Sequence, residues 1–355
     1  MAIRILAALL LGAAAVAPAA ALSERAVEQR LVRLEFDNDV FLGTDDGFTA
    51  GWSLQLHSAI LDRWDEDLPA WIGKLPGLGD DGEGGRAVRW AAGLSQIMVS
   101  PRDVEEPGPQ PEDFPWAGSL GLHGTLVSLD DLRMVAVQLY LGCLGPCSRA
   151  EEVQRFIHED LGWGKPLAGW DHQIERRWLA NLNLAGGYKL WASPVSRYRP
   201  GRFAADLSVG GQVALGNLAT FAQAQLELRF GRGVPRGFAH VPDPPGIGVA
   251  ADPVYVDRGA RATPPPRSWF RYASVVVRAS HFEQLAFAEG GRTRSGGWHP
   301  GIELDLDEPV LVVGLHAGRA PIGFHATYYR YPAGRQRAGL GSSLDWVNLS
   351  LDLRF

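Results

Sequence analysis

The last eleven residues of the chain, Asp345-Trp-Val-Asn-Leu-Ser-Leu-Asp-Leu-Arg-Phe355, decide the fold. Apolar and polar side chains alternate, so the apolar ones from Val347 to Phe355 fall on one face of a strand and the polar ones from Asn348 to Arg354 on the other. A soluble sheet would bury its apolar face in a core. A polar face this strongly charged indicates a polar interior and a lipid-facing exterior, as in a transmembrane β-barrel.

The same alternation recurs along most of the chain, in runs of about 8–15 residues, the length that a tilted spanning strand requires. These runs lie at 31–38, 50–58, 87–98, 117–128, 132–141, 177–191, 203–215, 219–231, 268–281, 300–307, 310–318, 321–331 and 345–355. Because bacterial single-chain barrels use even strand numbers, we predict an all-β antiparallel barrel of about twelve strands. The weakest run, 300–307, is then part of a loop.

The segments between the runs differ in length and composition. Residues 62–86, 99–116 and 232–267 are long and rich in Pro, Gly and acidic residues, whereas Asp130-Asp131 and Ala320-Pro321 are short turns. Barrels carry long loops on the outer side and short turns on the periplasmic side. We therefore expect all three long segments on the outer side.

The N-terminus has the pattern of a secretory signal. Arg4 precedes an apolar run from Ile5 to Val16, and Ala19-Ala20-Ala21 is a cleavage site, which predicts a signal peptide over 1–21 and a barrel domain over 22–355. The run is too short to span a membrane as a helix. Export of a barrel predicts an outer-membrane location. The net charge of −6 argues against nucleic acid as a partner.

Two cysteines, Cys143 and Cys147, are the only ones in the chain. In an exported protein their close spacing favours a small disulfide loop, and the alternative is a pair of reduced thiols. We predict the bridge.

The segment from Leu34 to Gly51 combines several carboxylates with a carboxamide and two hydroxyls, among them Asn38, Asp39 and Thr49. Oxygen-rich segments of this kind can bind Ca²⁺. The same residue types also form ordinary solvated turns, and composition alone leaves both possibilities open.

A helical segment interrupts the strands at 149–161. Ser148 is a candidate N-cap with Glu151 three residues later, as in a capping box. Gln154 and His158 are four residues apart and share one helix face. They are candidates for chemistry in a polar cavity, and the alternative is that His158 is a solvated or structural histidine.

These features together resemble the outer-membrane lipid A 3′-O-deacylases. The resemblance rests on ordered motifs: Asn38-Asp39-x-Phe41, Thr44-Asp45-x-x-Phe48-Thr49-x-Gly51, Leu141-Gly142-x-x-Gly145-Pro146, Glu152-Val153-Gln154-x-x-x-His158 and Gly169-Trp170-Asp171-x-Gln173-Ile174. The aromatic C-terminal residue, Phe355, also matches the family. One departure concerns a Lys-rich stretch after the third strand of some members, which is taken to bind lipid A phosphate. Here that region, Ser100–Glu106, contains a single cation, Arg102.

The resemblance implies a twelve-stranded barrel that removes the 3′-linked acyloxyacyl chain of lipid A with the help of Ca²⁺. It assigns His158 as the general base, Asp39 to the metal, and Asn38, Thr49 and Gln154 to the active site. We expect these residues to converge on one polar pocket at the outer-leaflet side that opens laterally toward lipid. The expected partner is lipid A or lipopolysaccharide, and the expected state is a monomer.

A neutral histidine is the best side-chain base near neutral pH, so His158 would take a proton from water, with Asp160 or a nearby carbonyl orienting its ring. The chain has no G-x-S-x-G motif, which favours direct attack by water over a serine acyl-enzyme. Two alternatives remain. One is a non-enzymatic porin-like barrel. The other is an outer-membrane phospholipase, which requires a Ser–His pair on adjacent strands, and the sequence predicts no such pair.

Overall fold

The computed structural model describes residues 30–38, 50–79, 86–162, 164–194, 197–198, 201–238, 243–244, 246–249, 269–303, 309–319, 321–332 and 343–355. Twelve long strands and one short hairpin run through these residues. The long strands are β1 (Leu31–Asn38), β2 (Ala50–His57), β3 (Ala87–Val99), β4 (Ala117–Leu129), β5 (Arg133–Leu144), β6 (Arg177–Ala192), β7 (Phe203–Gly216), β8 (Ala219–Arg232), β9 (Phe270–Leu285), β12 (Val310–Arg319), β13 (Ile322–Pro332) and β14 (Ser343–Arg354). The hairpin is β10 (Gly291–Arg292) with β11 (Trp298–His299).

The long strands form a closed antiparallel barrel in which each pairs with its chain neighbour and β1 pairs with β14. The predicted twelve-stranded barrel is confirmed. Residues 300–303, the described part of the weakest predicted run, are not in a strand. No helix in the described part of the chain is long and apolar enough to cross a membrane.

The interior of the barrel is polar, as the alternation predicts. On β14, Asn348, Ser350 and Asp352 are buried, while Leu349 is exposed on the outer wall. Arg33 on β1 holds both carboxylate oxygens of Asp352, with Nε 2.7 Å from Oδ1 and Nη2 2.9 Å from Oδ2. This buried bidentate pair stands at the β1–β14 seam that closes the barrel.

The two ends of the barrel are distinct. At one end, Arg30 and Phe355 pair through two backbone hydrogen bonds of 3.2 and 3.0 Å. We call this the terminal end, and the short turn between β4 and β5 also lies there. The opposite end is the loop end. Because each strand reverses direction, β2 and β8 both return to the terminal end. The described parts of 62–86 and 232–267 therefore begin at the terminal end, whereas 99–116, which follows β3, begins at the loop end. The prediction that all three segments lie on the same, outer side is wrong.

The segment after β2 packs against the outer wall at the terminal end. Its 3-10 helices, Trp64–Glu66 and Ala70–Lys74, bury Trp64 and Ile72 against outward-facing apolar residues of β3, β4 and β5. The indole Nε1 of Trp64 donates to the carbonyl of Leu78 at 2.7 Å. We refer to residues 58–79 as the collar.

The segment after β8 enters the barrel. Its described residues, 233–238, 243–244 and 246–249, are here called the lumen plug, and residues 233–238 are all buried. Gln138 donates to the carbonyl of Gly248 at 2.8 Å, Gln212 donates to that of Ile247 at 3.1 Å, and Arg278 forms an ion pair with Asp243. Inward-facing polar side chains of the wall thus satisfy the backbone of the plug, as buried carbonyls require.

Candidate active site

The predicted helix at 149–161 is confirmed as α1 (Ala150–Arg155), which continues as a π-helical turn over Phe156–Asp160. The predicted cap is wrong. Ser148 belongs to a preceding 3-10 turn, where its hydroxyl donates to the carbonyl of Gly145 at 2.7 Å, and the N-cap is Arg149 in the left-handed region with φ 58°. The π-helical turn contains His158, and such turns are frequent at functional sites.

The predicted disulfide between Cys143 and Cys147 is present. It joins the end of β5 to the 3-10 turn Pro146–Ser148, from which α1 begins two residues later. The start of the helix is thereby tied covalently to the barrel wall.

The helix lies outside the lumen, against the outer wall at the loop end. Ser95 on β3 faces the lumen plug. Gln96 and Met98 lie one and three residues further along the strand, so their side chains point outward. Gln96 Nε2 donates to the carbonyl of Ser148 at 2.6 Å. On β4 the helix sits so close that a Cβ added at Gly118 would lie 2.1 Å from the Cβ of Ala150. Only glycine at position 118 allows this approach.

An apolar cluster holds the helix in place. It comprises Ala50, Met98, Val104, Trp116, Ala150, Leu167 and Trp170, with Val153 packed against it. Trp116 and Trp170 form the centre, with ring centroids 5.0 Å apart. Residues from β2 and β3, from the segment after β3 and from the segment after α1 therefore position the helix.

Asn38 lies on the same outer wall as the helix. Asp37, its neighbour on β1, is fully buried in the lumen and pairs with Gly51, so Asn38 points outward beside Ala50. Ala50 pairs with Met98, and Met98 pairs with Gly118. One row across β1 to β4 thus leads from Asn38 to the position where α1 is seated. Asp39 and Thr49 adjoin this row in the chain, and both lie outside the described residues.

Gln154 is buried between the helix and the wall. Its Oε1 accepts a hydrogen bond of 2.9 Å from the indole Nε1 of Trp170. Its Nε2 has no hydrogen-bond partner among the described residues, and neither does the indole Nε1 of Trp116. A buried N–H without an acceptor costs about 1–3 kcal/mol. An acceptor oxygen beside either donor, from water or a bound molecule, would therefore be stabilised.

His158 is half-buried, and its Nδ1 lies 3.0 Å from the carbonyl of Lys165. A neutral imidazole whose Nδ1–H donates to this carbonyl keeps Nε2 as the acceptor, which is the form a general base needs. The ring packs against Gly164, where an added Cβ would lie 2.2 Å from Nδ1. The orienting group is therefore the Lys165 carbonyl and not Asp160.

Ion pairs fix the exposed side of the helix. Although burial opposes its charge, the pKa of Arg155 is raised above its ordinary value by the carboxylates of Glu151 and Glu159. Glu151 also accepts hydrogen bonds from Gln173 at 3.3 Å and from Arg294 at 3.0 Å. The helix is thereby linked to the segments before β6 and inside the β10–β11 hairpin.

The described residues supply only part of the predicted site. Gln154 and His158 share the helix, and Asn38 lies on the wall to which the helix is attached. No group of three or more His, Cys, Asp or Glu residues in the described part of the chain could hold a metal ion. The carboxylates that suit Ca²⁺, Asp39 above all, lie outside the described residues.

A chain of polar residues inside the lumen was not predicted. Ser274 Oγ on β9 lies 3.0 Å from His316 Nε2 on β12, His316 Nδ1 lies 2.8 Å from His325 Nδ1, and His325 Nε2 lies 3.1 Å from Asp352. All bonds are satisfied with neutral rings if Ser274 donates to His316, His316 to His325 and His325 to Asp352. The prediction that no Ser–His pair occurs on adjacent strands is wrong. The pair depends on the β9–β12 register, which composition does not reveal.

Both the sequence and the fold are similar to those of known proteins. The profile of the family described as "Outer membrane protein LpxR" matches residues 5–291. The structure is similar to that of LpxR from Salmonella typhimurium, with a TM-score of 0.67 and 15% identity over 92% of this chain and 100% of that one. The translocator domain of the autotransporter NalP from Neisseria meningitidis gives a TM-score of 0.37 at 10% identity over 100% of this chain and 96% of that one. A search of curated proteins gives no match.

Proposed function

The chain belongs to the LpxR family of outer-membrane proteins, and on that premise we propose that it is a lipid A 3′-O-deacylase. It is an outer-membrane β-barrel. The proposed reaction is hydrolysis of the 3′-linked acyloxyacyl ester of lipid A. The terminal end then faces the periplasm, and the loop end lies at the outer leaflet, where lipid A resides.

The position of α1 carries the proposal. A helix attached to the outer wall at the loop end presents Gln154 and His158 beside the membrane rather than inside a channel. Asn38 points outward from the same wall. An enzyme whose substrate is a lipid of the outer leaflet needs its polar groups at this height and on this side of the barrel.

The proposed mechanism begins with His158. Its Nε2 takes a proton from a water molecule while Nδ1 remains bound to the Lys165 carbonyl. The resulting hydroxide attacks the carbonyl carbon of the ester, and the bond between that carbon and the 3′-oxygen of the sugar breaks. The products are the free acyloxyacyl acid and a 3′-hydroxyl, which receives the proton from His158. The unpartnered N–H groups of Gln154 and Trp116, with Asn38 or Thr49, would donate to the developing oxyanion.

The proposal also includes a bound Ca²⁺ ion. Asp39 would hold Ca²⁺, with the side-chain oxygen of Asn38 as a second ligand of the type that this ion prefers. A bound Ca²⁺ would polarise the ester carbonyl. The steps assigned to His158 and Gln154 follow from their own contacts and do not depend on the geometry of the ion.

Two observations disfavour the alternatives. A porin-like barrel needs an open lumen, whereas the lumen plug here is bonded to Gln138, Gln212 and Arg278 of the wall. A phospholipase needs its Ser–His pair within reach of lipid. Ser274 and His316 are buried to 1% and 2% exposure and face the lumen, so the pair that exists is on the wrong side of the wall.

The decisive experiment is mass spectrometry of lipid A from cells that express the chain, with and without His158→Ala. We expect loss of the 3′-acyloxyacyl mass in the wild type and an unmodified lipid A with the variant. An unmodified lipid A in both, with the barrel correctly folded in the outer membrane, would refute the proposed activity.

A further inference from the structure

Two arginine–tryptophan pairs lie on neighbouring segments at the loop end. Arg176 stacks over Trp178, with its guanidinium carbon 4.5 Å from the ring centroid. Arg292 pairs with Trp298 across the β10–β11 hairpin, which places both side chains on one face. Trp178 and Trp298 are 68% and 70% exposed. We call these four residues the arginine–tryptophan patch.

The two halves of the patch are joined through the backbone. Glu175 N donates to the carbonyl of Arg292 at 2.8 Å, and Arg294 N donates to that of Gln173 at 2.8 Å. Arg294 also contacts Glu151 of α1. The patch is therefore held at a fixed place relative to the candidate active site.

The height and direction of Trp178 follow from the strand register. Trp178 pairs with Cys143, Cys143 with Leu120, and Leu120 with Gln96, the residue that bonds to the start of the helix segment. All of these positions face outward. Exposed tryptophans on the outer wall of a barrel mark the membrane interface, and here that is the headgroup level of the outer leaflet.

Ion pairing distinguishes the two arginines from their neighbours. Other cations around the helix are paired with carboxylates: Arg149 with Glu152, Arg155 with Glu151 and Glu159, Lys165 with Glu105, Arg177 with Glu289, and Arg294 with Glu151. Among the described residues, neither Arg176 nor Arg292 has a carboxylate within ion-pair distance. Their guanidinium groups remain available to an anion, and guanidinium binds phosphate in a two-pronged geometry.

We propose that the arginine–tryptophan patch binds the sugar phosphate of a phosphorylated glycolipid in the outer leaflet, the substrate itself. The inference rests on the proposed function and deepens it. Arg176 and Arg292 bind the phosphate, and the two indoles sit at the headgroup boundary.

The test is equilibrium binding to the purified, folded barrel in detergent, followed by intrinsic tryptophan fluorescence. The probes are bisphosphorylated lipid A and the same lipid A with both phosphates removed. We expect the wild type to bind the phosphorylated form more tightly, and Arg176→Gln with Arg292→Gln to weaken that binding by about tenfold or more per arginine. Binding of the dephosphorylated lipid should not change.

The matched control is Arg232→Gln with Arg271→Gln. These residues are exposed, pair across β8 and β9 at the terminal end, and face the other leaflet. The control should bind like the wild type. Equal affinity of the wild type for both lipids, or wild-type affinity of the Arg176/Arg292 variant for the phosphorylated one, would overturn the inference. Because binding is measured apart from turnover, a barrel that binds selectively but releases no acyl chain would refute the proposed function and leave this inference standing.

Discussion

The indole of Trp170 donates a 2.9 Å hydrogen bond to Oε1 of Gln154, and both side chains are buried beneath the helix that carries His158. The bond fixes which end of the carboxamide faces the protein. Oε1 is occupied, so Nε2 is the end that remains available to an acceptor. Trp170 thus fixes the orientation in which the carboxamide of Gln154 is held.

Trp170→Phe should lower deacylation by about 10- to 100-fold, because the carboxamide of Gln154 loses its orientation. It should also lower the free energy of unfolding by about 1–3 kcal/mol, since Oε1 is left unpaired. Trp64→Phe is the matched control, because this equally buried indole donates to Leu78 in the collar. The control should lose similar stability and keep its activity. Equal losses of activity in both variants would show that the effect is only structural.

His158→Ala should reduce deacylation by about 100-fold or more, the usual contribution of a general base. Folding should be retained, because alanine is a good helix former. His172→Ala is the control, since this neighbouring histidine has both ring nitrogens engaged, with Ser295 and the Pro107 carbonyl. Heat-dependent mobility on gels checks the fold. Full activity of the His158 variant would remove this residue from the mechanism.

Chelation of Ca²⁺ should abolish activity, and Asp39→Ala should raise the Ca²⁺ concentration needed for half-maximal activity, with partial recovery at high Ca²⁺. The physical reason is that one charged ligand is lost while the neutral oxygen ligands remain. Asp46→Ala, in the same oxygen-rich segment, reports whether any carboxylate there has this effect. Activity that persists in a chelator would contradict the role of the metal.

Ser274→Ala should leave deacylation unchanged and cost about 1 kcal/mol of stability, because it removes one neutral hydrogen bond from the buried chain to Asp352. Lipid A mass spectrometry and denaturant titration measure the two effects. Loss of activity at normal stability would instead make Ser274 a nucleophile, and the phospholipase alternative would have to be reconsidered.

The purified wild type should show no porin-like conductance in planar bilayers. Replacing residues 236–249 by a Gly/Ser segment of equal length should produce a steady pore, because the contacts of Ile247 and Gly248 with the wall are lost. The same replacement over 62–75 of the collar is the control and should not conduct. Steady conductance by the wild type would contradict a filled lumen.

The strands were predictable because alternation is a local property, and the run from Asp345 to Phe355 carries it in full. The helix with Gln154 and His158 was predictable because it breaks that alternation. The end of the barrel at which a loop begins could not be predicted from the length of the loop, because the direction of the preceding strand decides it. The Ser274–His316 pair cannot be predicted from composition, because it depends on the register of β9 and β12. The placement of Arg292 beside Glu175 depends in the same way on how segments far apart in the chain are aligned.

The bond between Cys143 and Cys147 would make the proposed activity depend on the redox state of the cell, a dependence that the barrel does not share. The strands of the wall need no oxidant to pair, but the turn from which the helix begins is closed by a covalent link that only an oxidising compartment provides. A host with impaired thiol oxidation would therefore make a complete barrel with a poorly anchored helix. The abundance of the protein and the extent of lipid modification would then differ, and periplasmic redox capacity would set how much of the inserted protein is competent.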